Sequence, residues 1–403
     1  MRTIKTGILL GLSNRREAPR LRTKIDGRID ATYLHAAQNV DLTDDGYLRR
    51  RHGFQLALAS GLAHSLFEDG AGGAFCAFDS DLIHLDERLN RTTLRGGLPA
   101  QPKLSYALAP DGDTYWSNGL EIGRIHAGEA RPIITPTPTP PAVTATSGGL
   151  PAGRYQVAFT SMSRDGESPA TFPVALDLPA DSGIALGPLE GWTRVYMTGP
   201  DGEVFTRVPG AAGVIATLAN PGERLQTLLT AEMPPGQIVR HYAGRLLSAA
   251  GAVLWLSEPY QYGLMNPARN WLPFPAPITV VEPCEDGVFV CADATYWLPG
   301  DLLDTSPVKV LPYGGLDGSG GVSPDQRTVF WGSDQGIVIG APGGQVTTPQ
   351  SGEISFGHAP AGATAWREQD GQTHLIAVRT DAAPATNVAR SFTAAENRRK
   401  ENA

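Results

Sequence analysis

Apolar and polar residues alternate with a period of two through most of this chain, and hardly any segment keeps a helical period over three turns. Short alternating runs broken by Gly, Asp, Asn and Pro predict strands joined by tight turns. Six stretches share one form: a strand, a turn with Gly or Asp, an apolar strand, a second turn and a further strand. They are HSLFEDGAGGAFCAFDSDLIHLDE from His64, LSYALAPDGDTYWSNGLEIGRIHAG from Leu104, HYAGRLLSAAGAVLWLSEP from His241, ITVVEPCEDGVFVCADATYWLPG from Ile278, GGVSPDQRTVFWGSDQGIVIGAP from Gly320 and GATAWREQDGQTHLIAVRT from Gly362. Adjacent members start roughly 40 residues apart, the period of a four-stranded propeller blade. One such sheet cannot bury both of its faces, whereas a ring of them can, and the ring also removes most exposed sheet edges.

One block breaks the period. RPIITPTPTPP, residues 131–141, reads as an extended Pro-Thr linker. The next stretch, of about 80 residues, reads as seven short strands, beginning with the alternating RYQVAFTSMS from Arg154 and the Asp165-Gly166 turn. NPGERLQTLLTAEMPPGQ then leads back to the repeats at Val239. The expected fold is all-β: a β-propeller of about six blades with an inserted immunoglobulin- or fibronectin-like β-sandwich. The corresponding divisions are an N-terminal arm (1–30), the first part of the propeller (31–130), the insert (142–218), the second part of the propeller (237–379) and a C-terminal tail (380–403). The tail is Ala-rich and polar, ENRRKE suits a short helix, and a neighbouring subunit is expected to hold it.

AAQNVDLTDDGYLRRRHGF, residues 36–54, places Asp45-Gly46 between alternating runs, which predicts a hairpin because such a turn needs positive φ at its centre. Lying ahead of the first repeat, this hairpin is a candidate for the strand that completes the last blade. Its second run ends in Arg49, Arg50 and Arg51, and alternation sends Arg50 to the face opposite the other two.

Composition narrows the function. The 403 residues carry 33 basic and 41 acidic side chains, a net charge of −8, which argues against a general nucleic-acid binder. The 47 glycines and 33 prolines, with only 7% aromatic residues, suit many short strands and turns. Cys76, Cys284 and Cys291 have no CxxC spacing and read as small buried residues, although Cys284 and Cys291 flank a turn and could face each other across a hairpin. No run approaches a membrane span, and the short apolar stretch in MRTIKTGILLGLSNRRE is too brief for a signal peptide, so the chain is expected to be cytoplasmic when made.

Catalytic patterns are sparse. The eight histidines form no HExxH, and there is no GxSxG or P-loop, so no enzyme activity, metal or cofactor is expected. Asp79 with Asp81 and Asp111 with Asp113 could be a glycosidase pair but fit turn caps better. Ser333-Asp334-Gln335-Gly336 begins like the Asp-box of sialidase propellers, then continues Ile337-Val338 where that box has Thr-Trp. Trp116, Trp255, Trp297 and Trp331 fall at similar places in successive repeats, which favours packing between blades over a sugar platform.

Two stretches resemble β-propeller tail proteins of tailed bacteriophages and prophages. NVDLTDDGYLRRRHGF is similar to a segment near the start of those chains. The block from Trp255, WLSEPYQYGLMNPARNWLPFPAPITVVEPCEDGVFVCADATYWLPG, is similar to their longer Ser-Glu-Pro, Tyr-Gly-Leu and Gly-Val-Phe-Val region. RYQVAFTSMSRDGESPA and TRVYMTGPDGEVFTRV resemble their inserted sandwich. The resemblance implies a virion component, a tail nozzle or tail-tip ring of about six copies along the genome conduit, through which DNA passes without specific binding. The chain is shorter than the large nozzle proteins. The expected partners are further copies of the chain and neighbouring tail or adaptor proteins. Arg15, Arg16, Arg20, Arg22, Lys24, Arg49, Arg50 and Arg51 are the expected assembly interface, pairing with acidic neighbours. The alternative is a propeller that binds or cleaves glycans for host attachment, resting on Tyr260, Tyr262 and Trp271. A bacterial surface adhesin is disfavoured by the missing export signal.

Overall fold

The computed structural model describes residues 8–37, 40–42, 48–50, 56–57, 62–99, 103–218, 222–354, 358–369 and 372–380. Among these residues there is no α-helix, only two 3-10 turns at Ala18–Leu21 and Pro342–Gly344, and everything else regular is strand. The Gly- and Asp-punctuated alternation dictates this, since each short run buries one face and the turn residues reverse the chain. The chain divides into two compact units, one comprising 62–250 and 254–272, the other 1–61, 251–253 and 273–403.

The first unit begins with two four-stranded antiparallel meanders. One runs Ala63–Glu68, Ala74–Phe78, Asp81–Leu85 and Arg91–Arg95; the second runs Ser105–Leu108, Thr114–Ser117, Ile122–His126 and Glu129–Pro132. A third runs Ile238–Tyr242, Arg245–Ala250, Val253–Leu256 and Trp271–Pro273. The first and second share a core of Phe75, Leu82, Leu104, Tyr106, Trp116 and Ile125. The second and third share another, with Tyr115, Ile133, Val239, Leu246 and Tyr262. Between the second and third meanders, residues 143–215 build two sheets. One has three strands, Val143–Leu150, Ser182–Leu186 and Val214–Ile215; the other has five, with Gly153–Ser163 at its centre. Tyr155, Val157, Phe159, Ile184, Val195 and Met197 from the two sheets form a single apolar cluster.

The second unit holds a fourth meander, Val280–Cys284, Gly287–Cys291, Thr295–Pro299 and Val308–Leu311, and a fifth, Gly321–Val322, Val329–Ser333, Gly336–Ala341 and Gln345–Thr347. Phe289, Trp297, Val329, Trp331 and Val338 join them in one core, with the Phe289 ring 4.5 Å from Trp297 and 5.4 Å from Trp331. A long hairpin, Ala361–Gln369 with Gln372–Thr380, stacks Trp366 on Phe330 at 5.9 Å. A three-stranded sheet, Ile8–Leu12, Arg22–Ile25 and Ile29–Leu34, precedes the hairpin Val40–Leu42 with Leu48–Arg50. The chain is thus all-β, of the β-propeller type, and the repeats read in the sequence appear as five four-stranded meanders and one hairpin among the described residues.

Several expectations change. The hairpin near the N-terminus forms, pairing Val40 with Arg50 and Leu42 with Leu48, but among the described residues it joins no other sheet and completes no blade. Its Asp45-Gly46 turn and the tail beyond Thr380 lie outside the described residues. The Pro-Thr linker starts inside a sheet: Arg131 pairs with Arg124 and Pro132 with Gly123, because Pro is tolerated on an edge strand that needs no donor there. Val143–Leu150 is a strand that its Thr, Ser and Gly content hid. Cys284 pairs with Gly287 and Cys291 with Val280, so the two thiols do not face each other, and all three cysteines are buried and free. Trp116 and Trp331 lie on second strands and Trp255 and Trp297 on third strands of their meanders, so the four are not equivalent, although three are buried and Trp255 packs on a core.

Trp331 is fully buried, yet its indole N–H meets no acceptor among the described residues. Trp331→Ala is expected to cost about 3–5 kcal/mol in denaturant unfolding. Trp331→Phe should cost much less, because it removes an unsatisfied donor along with part of the ring volume.

Candidate functional site

Charged side chains converge where the second meander meets the two-sheet module. In strand Ile122–His126, alternation puts Gly123 and Ile125 into the core and Arg124 and His126 on the other face. Asp113, at the turn before strand Thr114–Ser117, is 3% exposed and receives both. Arg124 Nη1 donates to Asp113 Oδ2 at 3.0 Å, and His126 Nδ1 lies 2.6 Å from Asp113 Oδ1. Arg124 Nη2 donates to Asp165 Oδ1 at 2.8 Å, and Asp165 belongs to the Asp-Gly turn of the module. One guanidinium thus bridges two carboxylates from segments far apart in sequence. Burial opposes the Arg124 charge, but the bond to Asp165 and the field of Asp113 outweigh it and hold its pKa above the ordinary value.

Further bonds close the junction. Thr135 Oγ1 donates to the Gly166 carbonyl at 2.6 Å and lies 2.6 Å from Ser163 Oγ, stapling the linker to the same turn. Arg131 donates to Glu129 at 2.9 Å, and Arg164 of the module lies 3.5 Å from the same carboxylate. Glu167 accepts from Thr160 Oγ1 at 2.6 Å and from Tyr196 Oη at 2.7 Å; burial and this carboxylate push the Tyr196 phenol up to about 12.

Beside the junction is a crevice of about 330 Å³, lined by Asp111, Tyr115, Arg124, Asp165, Thr227 and Tyr260 among others. Tyr115 Oη donates to Asp111 Oδ2 at 2.8 Å, and burial, then this acceptor, raise the Tyr115 pKa. Asp111 Oδ1 also accepts the Asp113 N–H at 3.0 Å and so caps its own turn, whereas Asp79 accepts the N–H of Leu62, 17 residues away, at 3.0 Å. Tyr262 is 6% exposed and belongs to the core, whereas Tyr260 is 77% exposed and Trp271 41%. Asp334, in the sequence resembling an Asp-box, holds Arg379 at 3.0 Å and His358 at 2.9 Å. Among the described residues no group of three or more His, Cys, Asp or Glu side chains is arranged to hold a metal ion.

The expected assembly residues are separate from this junction. Arg15, Arg20, Arg22 and Lys24 are exposed on the N-terminal segment, and Arg49 and Arg50 are exposed on the hairpin. Arg51 lies outside the described residues. Arg16 departs from the expectation of an outward-facing cation. It grips Glu353 through both Nε (2.8 Å, to Oε2) and Nη2 (to Oε1), and its guanidinium lies 4.1 Å from the centre of the Tyr33 ring. The Glu353 carbonyl also accepts the Asn14 N–H at 3.0 Å. Sequence reading missed Arg124 because an isolated arginine in an apolar strand has no motif. The available signal was a charged side chain inside an alternating, otherwise apolar run, which requires a buried partner.

No protein-family model matches the chain, and no curated protein sequence matches it. Solved structures similar to it include the C-terminal WD40 domain of Sif2, 13% identical over 75% of this chain and 74% of that one, with a TM-score of 0.33. A streptogramin B lyase is 11% identical over 78% of this chain and 92% of its own, at a TM-score of 0.34. AztD from Citrobacter koseri is 15% identical over 78% and 89%, at 0.27. At these values the likeness transfers no activity to this chain.

Two outcomes follow from the ion pairs. Arg124→Met leaves Asp113 and Asp165 without their shared cation and is expected to cost about 3–5 kcal/mol in chemical denaturation. Arg124→Lys should recover little of this, because one ammonium cannot span both carboxylates, while adding Asp113→Asn and Asp165→Asn to Arg124→Met should recover most of it. The hydrogen bond from Arg16 depresses the Glu353 pKa from 4.5 to about 2. A depressed folded-state pKa stabilises above the unfolded value, so this contribution is present above 4.5 and lost as pH falls through about 2. The protection factor of the Asn14 amide, taken against its intrinsic exchange rate at each pH, should fall across that window, and Glu353→Gln should keep it low at all pH values.

Proposed function

We propose that this chain is a non-enzymatic structural component of a bacteriophage tail, a nozzle or tail-tip ring lining part of the genome-delivery conduit. The observation that carries this reading is the Asp113–Arg124–Asp165 bridge, which fastens the two-sheet module to the second meander. A part that transmits load between neighbouring rings needs its modules held at a fixed angle, and a desolvated guanidinium with two carboxylates resists rotation in a way that a flexible linker does not. The sequence resemblance to phage propeller tail proteins and the propeller-type fold point the same way.

The charge distribution supports the remaining parts of the reading. A net charge of −8 keeps a passing genome from adhering to the wall. Arg15, Arg20, Arg22, Lys24, Arg49 and Arg50 are exposed and suited to acidic surfaces of neighbouring copies or adaptor proteins. Self-association into a closed ring, with six copies as the working number, gives each of these contacts a repeated partner.

Mass spectrometry of purified particles tests the location: the protein should copurify with tails at constant stoichiometry, and its absence from particles made in cells that express it defeats the reading. Changing Arg49 and Arg50 together to Gln should leave the monomer's melting temperature unchanged, since exposed charges contribute about 0–1 kcal/mol each. The same variant should yield particles that lack the ring. Electron micrographs of normal tails containing the variant would count against docking through these arginines.

A further inference from the structure

The five meanders have four strands each, whereas the sixth repeat, Ala361–Gln369 with Gln372–Thr380, has two among the described residues. Its first strand is covered at its start. Ala361 bridges Asp317 in parallel, the Gly362 N–H donates to the Asp317 carbonyl at 3.0 Å, and Thr364 Oγ1 donates to the Ser319 carbonyl at 2.8 Å. The Gly362 bond also fixes the phase of the pairing. Gly362 stands opposite Arg379 and directs its N–H away from it, so alternation turns the N–H and C=O of Ala377 and Leu375 outward as well. No strand among the described residues pairs with that outer edge, and Ile376 on it is 38% exposed. A nine-residue strand with an open edge and neither proline nor lysine is a template for strand addition.

The same unit carries a hairpin of matching size. Val40–Leu42 and Leu48–Arg50 pair with each other, join no other sheet among the described residues, and leave Leu48 46% exposed. These strands have three residues each, as do the fourth strands of the third and fifth meanders, Trp271–Pro273 and Gln345–Thr347. The sixth sheet is two strands short of the others, and this hairpin supplies two. Within one copy the hairpin is not paired with that edge, so donor and acceptor are left to meet between copies. We propose that the Val40–Arg50 hairpin of one copy adds to the Gln372–Thr380 edge of the next copy and completes its sixth sheet. Donor and acceptor are different surfaces, so the contact is head-to-tail, the type that closes into a ring. This contact deepens the ring reading above and rests on its self-association, not on the location in a tail.

Two variants test the contact. Ala377→Pro blocks the acceptor edge without taking a bond from its own hairpin, because the Ala377 N–H points outward. Replacing residues 36–54 by a Gly-Ser linker of the same length removes the donor. In analytical ultracentrifugation the full-length chain should assemble as its concentration rises, and each variant alone should stay monomeric. Mixed in equal amounts, the two variants should form a heterodimer that grows no further, since the pair retains one donor and one acceptor. Circular dichroism checks both folds. If Ala377→Pro melts early, the linker variant still decides, because it must stay monomeric where the full-length chain assembles. A full-length chain that stays monomeric, assembly of either variant alone, or no heterodimer from two folded variants would overturn the proposal. Absence of the protein from phage particles would defeat the tail reading and leave this result untouched.

Discussion

A four-stranded antiparallel sheet has two faces and can bury neither by itself, and this constraint shapes the rest of the molecule. Each meander in this chain is short, so its apolar side chains gain most of their stabilisation from the neighbouring sheet. Phe75 and Leu82 of the first meander meet Tyr106 and Trp116 of the second, and Phe289 of the fourth meets Trp331 of the fifth. Close approach between sheets also dictates some small residues. A Cβ on Gly315 would lie 2.8 Å from Val280 and 2.9 Å from Trp331, so a larger residue there would force the core apart.

The polar junction depends on the same packing. Arg124 could not be carried into a half-buried position unless carboxylates were waiting there, because the desolvation cost of an unpaired guanidinium exceeds what one exposed pair returns. Asp113 and Asp165 are 5% and 12% exposed at their side chains, whereas the surface pair of Arg95 and Glu121 is 47% and 37% exposed. The first set therefore selects one placement of the two-sheet module on the second meander, and the second contributes little. Thr135 and Ser163 act in the same direction by removing freedom from the linker that enters the module.

Rigidity comes from the Arg124 junction in one unit. Exposed positive charge sits on the N-terminal segment and hairpin of the other, where Glu353 draws Arg16 inward.

Much of the fold was legible in the sequence. Period-two alternation with Gly and Asp turns sufficed for an all-β chain, for the repeat of four-stranded units and for the interruption after the second, because these follow from local backbone preference and one-sided burial. Local chemistry also settled Asp111 as a turn cap. The module's first strand, Val143–Leu150, was hidden because its edge tolerates Thr, Ser and Gly. The Arg124 bridge and the Arg16–Glu353 grip were hidden for a different reason. Their members stand 41 and 337 residues apart, and no local pattern says which carboxylate a given arginine will meet. The sequence by itself determined most of the strands and which faces would seek burial; the tertiary structure decided the ion-pair partners, because desolvation and distance exist only once distant segments have packed.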